Sequence, residues 1–121
     1  MSEQEIENEI IEKKLTAPRL TPALIDASIA DCYYFTAENG VSAAQEDMTI
    51  LAGYHSQLKL LTFCVVILRN GYMVTGESAC ASPENFDAEI GRKIAFENAR
   101  NKIWALEGYL LKQRLFEAAI V

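Results

Sequence analysis

The run LLTFCVVILRNGYMVTGES, residues 60–78, constrains this chain more than any other segment. Two stretches of strand-forming residues flank Asn70-Gly71, the dipeptide that most favours a tight turn between antiparallel strands. The sequence therefore predicts a β-hairpin with a two-residue type I′ turn. Such a turn pairs Ile67 with Val74, Val65 with Gly76 and Phe63 with Ser78 on one face. It pairs Leu68 with Met73, Val66 with Thr75 and Cys64 with Glu77 on the other. The first strand is apolar on both faces, so it is expected to be covered on both sides. The second turns polar at Thr75, Gly76, Glu77 and Ser78.

After the hairpin, Ser82-Pro83-Glu84 supplies an N-cap, a proline at the first helical position and an acid at the positive helix end. The pattern predicts a helix from Pro83 to about Ala118, with Gly108 as its weak point. Upstream, Ser2 and Glu5 have the capping-box spacing, and Ile6, Ile10 and Leu15 share one side of an amphipathic helix over residues 2–15. Alone, such a helix is marginal, so it packs on its own domain or on another protomer. Thr21-Pro22 opens a second helix with Leu24, Ile25 and Ile29 on its apolar side. Tyr33-Tyr34-Phe35-Thr36 reads as its last turn or as a short strand, and residues 41–57 as a short helix at most. The fold class expected is α+β: an antiparallel sheet built on a central β-hairpin, packed against a long C-terminal helix and one or two N-terminal helices. The 121 residues suit a single domain, with residues 1–16 as the N-terminal helix segment and 17–121 as the remainder.

Charge and cysteine usage remove several function classes. A net charge of −6 argues against general duplex nucleic-acid binding, which needs a basic surface, but permits a small anion in a local basic pocket. Cys32, Cys64 and Cys80 form no CxxC pair and read as free thiols, Cys64 as a small core residue. With His55 the single histidine, neither a disulfide framework nor a metal site is expected. The acidic start MSEQEIENEI is unlike a signal peptide, and no apolar run approaches the ~20 residues that a membrane span requires. A cytoplasmic protein is the expectation.

On a wheel of about 100° per residue, the C-terminal helix shows two apolar stripes. Phe86, Ile90 and Ile94 form one, and Ala95, Ala99, Ile103, Leu106 and Leu110 the other. Glu89, Lys93, Glu97, Arg100 and Glu107 occupy a narrow solvent strip. Asp87, Gly91, Asn98 and Lys102 fall between the stripes, and Arg92 falls among the alanines. A polar group so placed needs a partner, because unpaired burial costs ~1–3 kcal/mol. In one reading Arg92 pairs with Glu77 or Asp87 and Asn98 bonds a nearby loop. In the other, Arg92, Asn98 and Lys102 line a recessed anion pocket, with Phe86 a core residue or a stacking platform. The planar fork of Arg92 suits phosphate.

Catalytic signatures are missing. Ser78 and Ser82 lack a nearby histidine or a nucleophile elbow, and no P-loop or GxGxxG is present. Glu77 and Asp87 read more simply as solvated or salt-bridged acids than as a catalytic pair. A protein without enzymatic activity, cofactor or metal is expected.

The run from Leu61 to Leu111 resembles the core of a small tailed-phage protein family named for an N4 phage product and an Sf6 phage product. The resemblance rests on a strand, Asn70-Gly71, an aromatic, Val74-x-Gly76-x-Ser78-Ala79, then Asn85-Phe86-Asp87, Gly91, Ala95, Asn98-Ala99 and Lys102-x-Trp104. Pro18-Arg19, Ile25 and Tyr34-Phe35-Thr36-Ala37 extend it over roughly residues 17–117. The same pattern is similar to the Thoeris anti-defence sponges, phage proteins that sequester cyclic ADP-ribose isomers and, in some members, cyclic di- or trinucleotides. The resemblance implies ligand pockets at protomer interfaces of a dimer or higher homo-oligomer. It also adds Gly76 and Ser78 to Phe86, Arg92, Asn98 and Lys102 as candidate ligand-binding residues, whereas Arg100 lies where variation is expected. The alternative is an adaptor that binds a host protein through its N-terminal helix and apolar patches.

Overall fold

A computed structural model describes residues 2–44 and 56–120. Helix α1 (Glu3–Glu12) opens with the reciprocal cap read from the sequence: the Glu5 amide donates to Ser2 Oγ at 3.1 Å, and the Ser2 amide donates to Glu5 Oε2 at 3.3 Å. Thr21 caps α2 (Pro22–Ala27) by accepting from the Leu24 amide at 3.1 Å, with Pro22 at the first position. The chain then extends as β1 (Ile29–Thr36), so Tyr33 to Thr36 belong to a strand. Helix α3 (Ala37–Ala44) follows directly, started by reciprocal bonds between Thr36 and Asn39. The short helix expected over 41–57 overlaps the end of α3, and its residues 45–55 lie outside the described residues.

Strands β2 (Leu61–Leu68) and β3 (Met73–Ala79) form the predicted hairpin and complete an antiparallel sheet of order β1-β2-β3. Its register differs from the two-residue expectation by one position: Ile67 faces Met73, Val66 faces Val74, Cys64 faces Gly76 and Thr62 faces Ser78. The turn is the cause. The Gly71 amide donates to Leu68 O at 2.9 Å, and the Leu68 amide donates to Tyr72 O at 2.8 Å, which leaves three residues, Arg69 to Gly71, in the loop. Gly71, at φ 88°, occupies the left-handed position that closes such a loop. The shift places Val74 and Gly76 on the same face as Val66 and Cys64.

That face is the core. Helix α4 (Ala88–Ile120) lies on it with Gly91, Ala95, Ala99 and Ile103 buried against Cys64, Val66, Leu68 and Val74. Contact is closest at Gly76, where a Cβ would stand 2.1 Å from Ala95 O and 2.4 Å from Ala99 N. Helix α2 adds Ile25 from the side.

The expectation that the first hairpin strand is covered on both sides does not hold among the described residues. Phe63, Val65 and Ile67 are only half-buried on the second face, and Tyr33, Phe35 and Met73 beside them are exposed. Phe35 stacks on Phe63 with ring centroids 5.3 Å apart, and α3 passes close to that pair, since a Cβ on Gly40 would stand 3.7 Å from the Phe35 ring. The helical stripe of Ile90 and Ile94 is exposed as well. Arg100, assigned to the solvent strip by the wheel, is instead drawn into contacts with α1 and α2, because those helices pack across that side of α4.

Candidate functional site

The entry into α4 sets the site. Pro83–Asn85 form one turn of 3-10 helix, and Phe86 then breaks it with an extended backbone, φ −69° and ψ 128°. Helix α4 therefore starts after this break rather than at Pro83. Ser82 makes no side-chain cap, and Asp87 does the capping, with its Oδ1 accepting from the Ile90 amide at 3.0 Å. The offset carries Arg92 to the second turn of the helix, facing the end of β1.

There Arg92 and Ala88 close a cavity of about 110 Å³ with Tyr34, Phe35, Thr36, Asn39 and Thr62. Neither Glu77 nor Asp87 forms an ion pair with Arg92 among the described residues. Arg92 thus keeps its donor fork without an ion-pair partner among the described residues, on a cavity that Tyr34, Thr36 and Thr62 line from the helix-covered face of the sheet, while the Phe35 ring stacks on Phe63 on the other face. Thr62 is buried on the cavity floor, with its Oγ1 3.0 Å from where a Cβ of Gly91 would stand. Burial, then hydrogen bonding to Cys32, pushes the Tyr34 phenol above its ordinary pKa. It remains an O–H donor at neutral pH.

The other sequence-derived candidates are distributed around the helix. Half-buried Phe86 approaches Gly91, and Ser78 is the cross-strand partner of Thr62, so both belong to the Arg92 end. Asn98 is already engaged: its Nδ2 donates to Glu77 O at 2.8 Å, on the edge of β3 rather than on a loop. Gly76 lies under the α4 backbone and serves packing. Lys102 stands ten positions beyond Arg92, ~15 Å along the axis. It lines a separate groove of about 510 Å³ with Tyr72, Met73, Thr75, Leu106 and Tyr109. The sequence did not single out Thr36, Asn39 and Thr62. The Thr36-x-x-Asn39 spacing was the available signal, being a cap that fixes both side chains at the mouth of the cavity.

Among the described residues no group of histidines, cysteines and acids is arranged to hold a metal, and no helix is long and apolar enough to cross a membrane. No curated protein and no solved structure matches the chain. A family model, the phage protein (N4 Gp49/phage Sf6 gene 66) family, matches residues 20–115, which take in both the Arg92 cavity and the Lys102 groove. The chain belongs to this phage protein family.

Proposed function

We propose that this protein is a phage or prophage counter-defence factor that binds and sequesters a cyclic nucleotide immune signal without degrading it. A cyclic ADP-ribose isomer is the first candidate ligand, with cyclic oligonucleotides next. The observation that carries the reading is Arg92, whose side chain makes no ion pair among the described residues and which lines a cavity with Tyr34, Thr36 and Thr62. A planar cation on a cavity that also holds the Tyr34 side chain suits a ligand that joins phosphate to a flat base. The ligand class itself comes from the resemblance of residues 61–111 to the anti-defence sponges. At about 110 Å³ the cavity accommodates a phosphate but falls well below the ~300–1,000 Å³ of a site that encloses a drug-sized molecule. The rest of the ligand therefore meets a second protomer, which makes a homo-oligomer part of the proposal. Host-cell cytoplasm is the compartment in which such a signal is met.

Calorimetry with cyclic ADP-ribose isomers and cyclic di- and trinucleotides tests the reading, followed by heat denaturation and chromatography of the released ligand. Tight binding, intact ligand on release and loss of binding in Arg92→Ala are expected. Altered ligand makes the protein an enzyme, and no binding at all removes the proposal.

The exposed apolar residues of α1 and of the turn that follows it, with Ile6 at 45%, Ile11 at 61% and Leu15 at 56%, favour a second reading as a host-protein adaptor. In that case deletion of residues 1–15 abolishes capture of a host protein, while Arg92→Ala leaves it intact.

A further inference from the structure

Cys32 on β1 and Cys64 on β2 hold their Sγ atoms 3.2 Å apart, close enough for either thiol to donate to the other. Tyr34 faces Cys64 and Cys32 faces Val66 in the ladder, so the two cysteines are diagonal neighbours on the helix-covered face of the sheet. Diagonal neighbours usually stand ~7–8 Å apart. The right-handed twist of a sheet shortens one of its two diagonals, and the cysteines sit on a short one. Cys80 is different: its Sγ donates to Ser82 O at 3.1 Å, and its thiol has no sulfur partner among the described residues.

We propose that Cys32 and Cys64 are a modification site, joined reversibly as an intramolecular disulfide by an oxidant of the peroxide class. The two thiols differ in access. Cys32 is half-buried, whereas Cys64 is fully buried, with its thiol pushed up to about 12 chiefly by that burial. Cys32 therefore reacts first. Its sulfur attacks one peroxide oxygen, the O–O bond breaks, and the departing hydroxide takes a proton and leaves as water. Cys32 is then a sulfenic acid. The Cys64 sulfur attacks the Cys32 sulfur, the S–S bond forms, the S–OH bond breaks, and hydroxide leaves as a second water with the Cys64 proton. The thiols together give up two electrons, and the peroxide is reduced to two waters. Reaching the ~2.05 Å of a disulfide requires a further approach of roughly 1 Å. The bond ties β1 to β2 beside Tyr34, at the wall of the Arg92 cavity, and its formation does not depend on what that cavity binds.

The test uses the purified, reduced full chain, treated with hydrogen peroxide, alkylated, and followed by intact mass and peptide mapping. Expected are loss of the mass of two hydrogens, protection of two of the three thiols, a Cys32–Cys64 linked peptide, and reversal by dithiothreitol. Cys80→Ser behaves like the parent, and Cys32→Ala leaves Cys64 alkylatable after denaturation. A stable sulfinic acid on Cys32 with Cys64 free, or a linkage to Cys80, overturns the proposal. Phenylarsine oxide gives an independent readout on the untreated fold, since trivalent arsenic bridges two adjacent thiols. Stoichiometric uptake by Cys80→Ser and none by Cys32→Ala is expected, and no uptake by the native chain overturns the assignment.

Discussion

Glu3 and Arg100, separated by 97 positions, form an ion pair, and the Trp104 indole N–H donates to the same Glu3 oxygen at 3.1 Å. Arg100 also donates to Asp26 Oδ1 at 3.0 Å and to Pro22 O at 3.3 Å, so one guanidinium fastens α1 and α2 to α4. Helix α1 buries none of its own residues and is held by such polar contacts. Replacement of Arg100 by methionine is expected to destabilise the protein by ~1–3 kcal/mol, because charged hydrogen bonds are lost while their acceptors remain. Amide exchange over residues 3–12 should rise at least tenfold, and unchanged protection would show that α1 has another anchor.

The second attachment of α1 is bidentate. Arg19 donates to both Glu7 oxygens, at 2.6 and 2.8 Å, and holds the Glu7 carboxyl below its ordinary value of 4.5. A depressed carboxylate contributes its stabilisation fully above its unfolded pKa and loses it as pH falls through the folded one. Protection of α1 should therefore be constant from neutral pH down to about 4.5 and decline below it. In Glu7→Gln that decline should be smaller. Hydrogen exchange across a pH series corrected for intrinsic rates provides the check.

Gly76→Ala should be the most damaging single methyl in the sheet. The new Cβ meets the Ala95 carbonyl and the Ala99 amide, both backbone atoms of α4, at distances no contact tolerates. A loss of about 3 kcal/mol or more is expected in urea unfolding, at the upper end of overpacking costs. Gly71→Ala is expected to cost less, ~1 kcal/mol, through the left-handed backbone alone, since nothing lies near its Cβ position.

Arg92 provides the opposite behaviour. Its side chain is exposed and makes no ion pair among the described residues, so Arg92→Ala should change stability by no more than ~0.5 kcal/mol. Under the proposed function the same change removes ligand binding, and Arg92→Lys restores it only in part because the donor fork is lost. Asn98→Ala should reverse the balance, costing ~0.5–1.5 kcal/mol by leaving the Glu77 carbonyl without its amide donor. Paired melting and calorimetry on the three variants separates the two roles.

The sequence revealed elements whose signals are local. Ser2 with Glu5, Thr21 with Pro22, and the apolar runs around Asn70-Gly71 each formed as read, and the α+β class followed from them. What failed was the one-residue detail. Asn-Gly fits both a two-residue turn and a three-residue turn that ends in glycine, and the choice flips every side chain of β3 to the other face. Likewise Ser82-Pro83 and Asp87 both look like helix starts, and only the extended backbone at Phe86 decides between them. For the candidate site, the wheel grouped Arg92, Asn98 and Lys102, whereas the structure spreads them over a cavity, a bond to β3 and a separate groove. Helical spacing shows how residues sit around a cylinder, and says nothing of the strand ends and capped turns that complete a cavity. Tyr34, Thr36 and Asn39 came from that second source.

Helix α4 is much longer than the sheet it covers. Its last buried residue is Ile103, and a Cβ on Gly108 would stand 3.8 Å from Leu20 Cδ1. Beyond Gly108 the final turns run ~18 Å with Tyr109, Leu115, Phe116 and Ile120 exposed. Mechanically the helix is a cantilever clamped from the contact of Gly76 with Ala95 as far as Ile103. A slight tilt at the clamp becomes a large sweep at Phe116, and a load on the tip is returned, magnified, to the strand that carries Gly76.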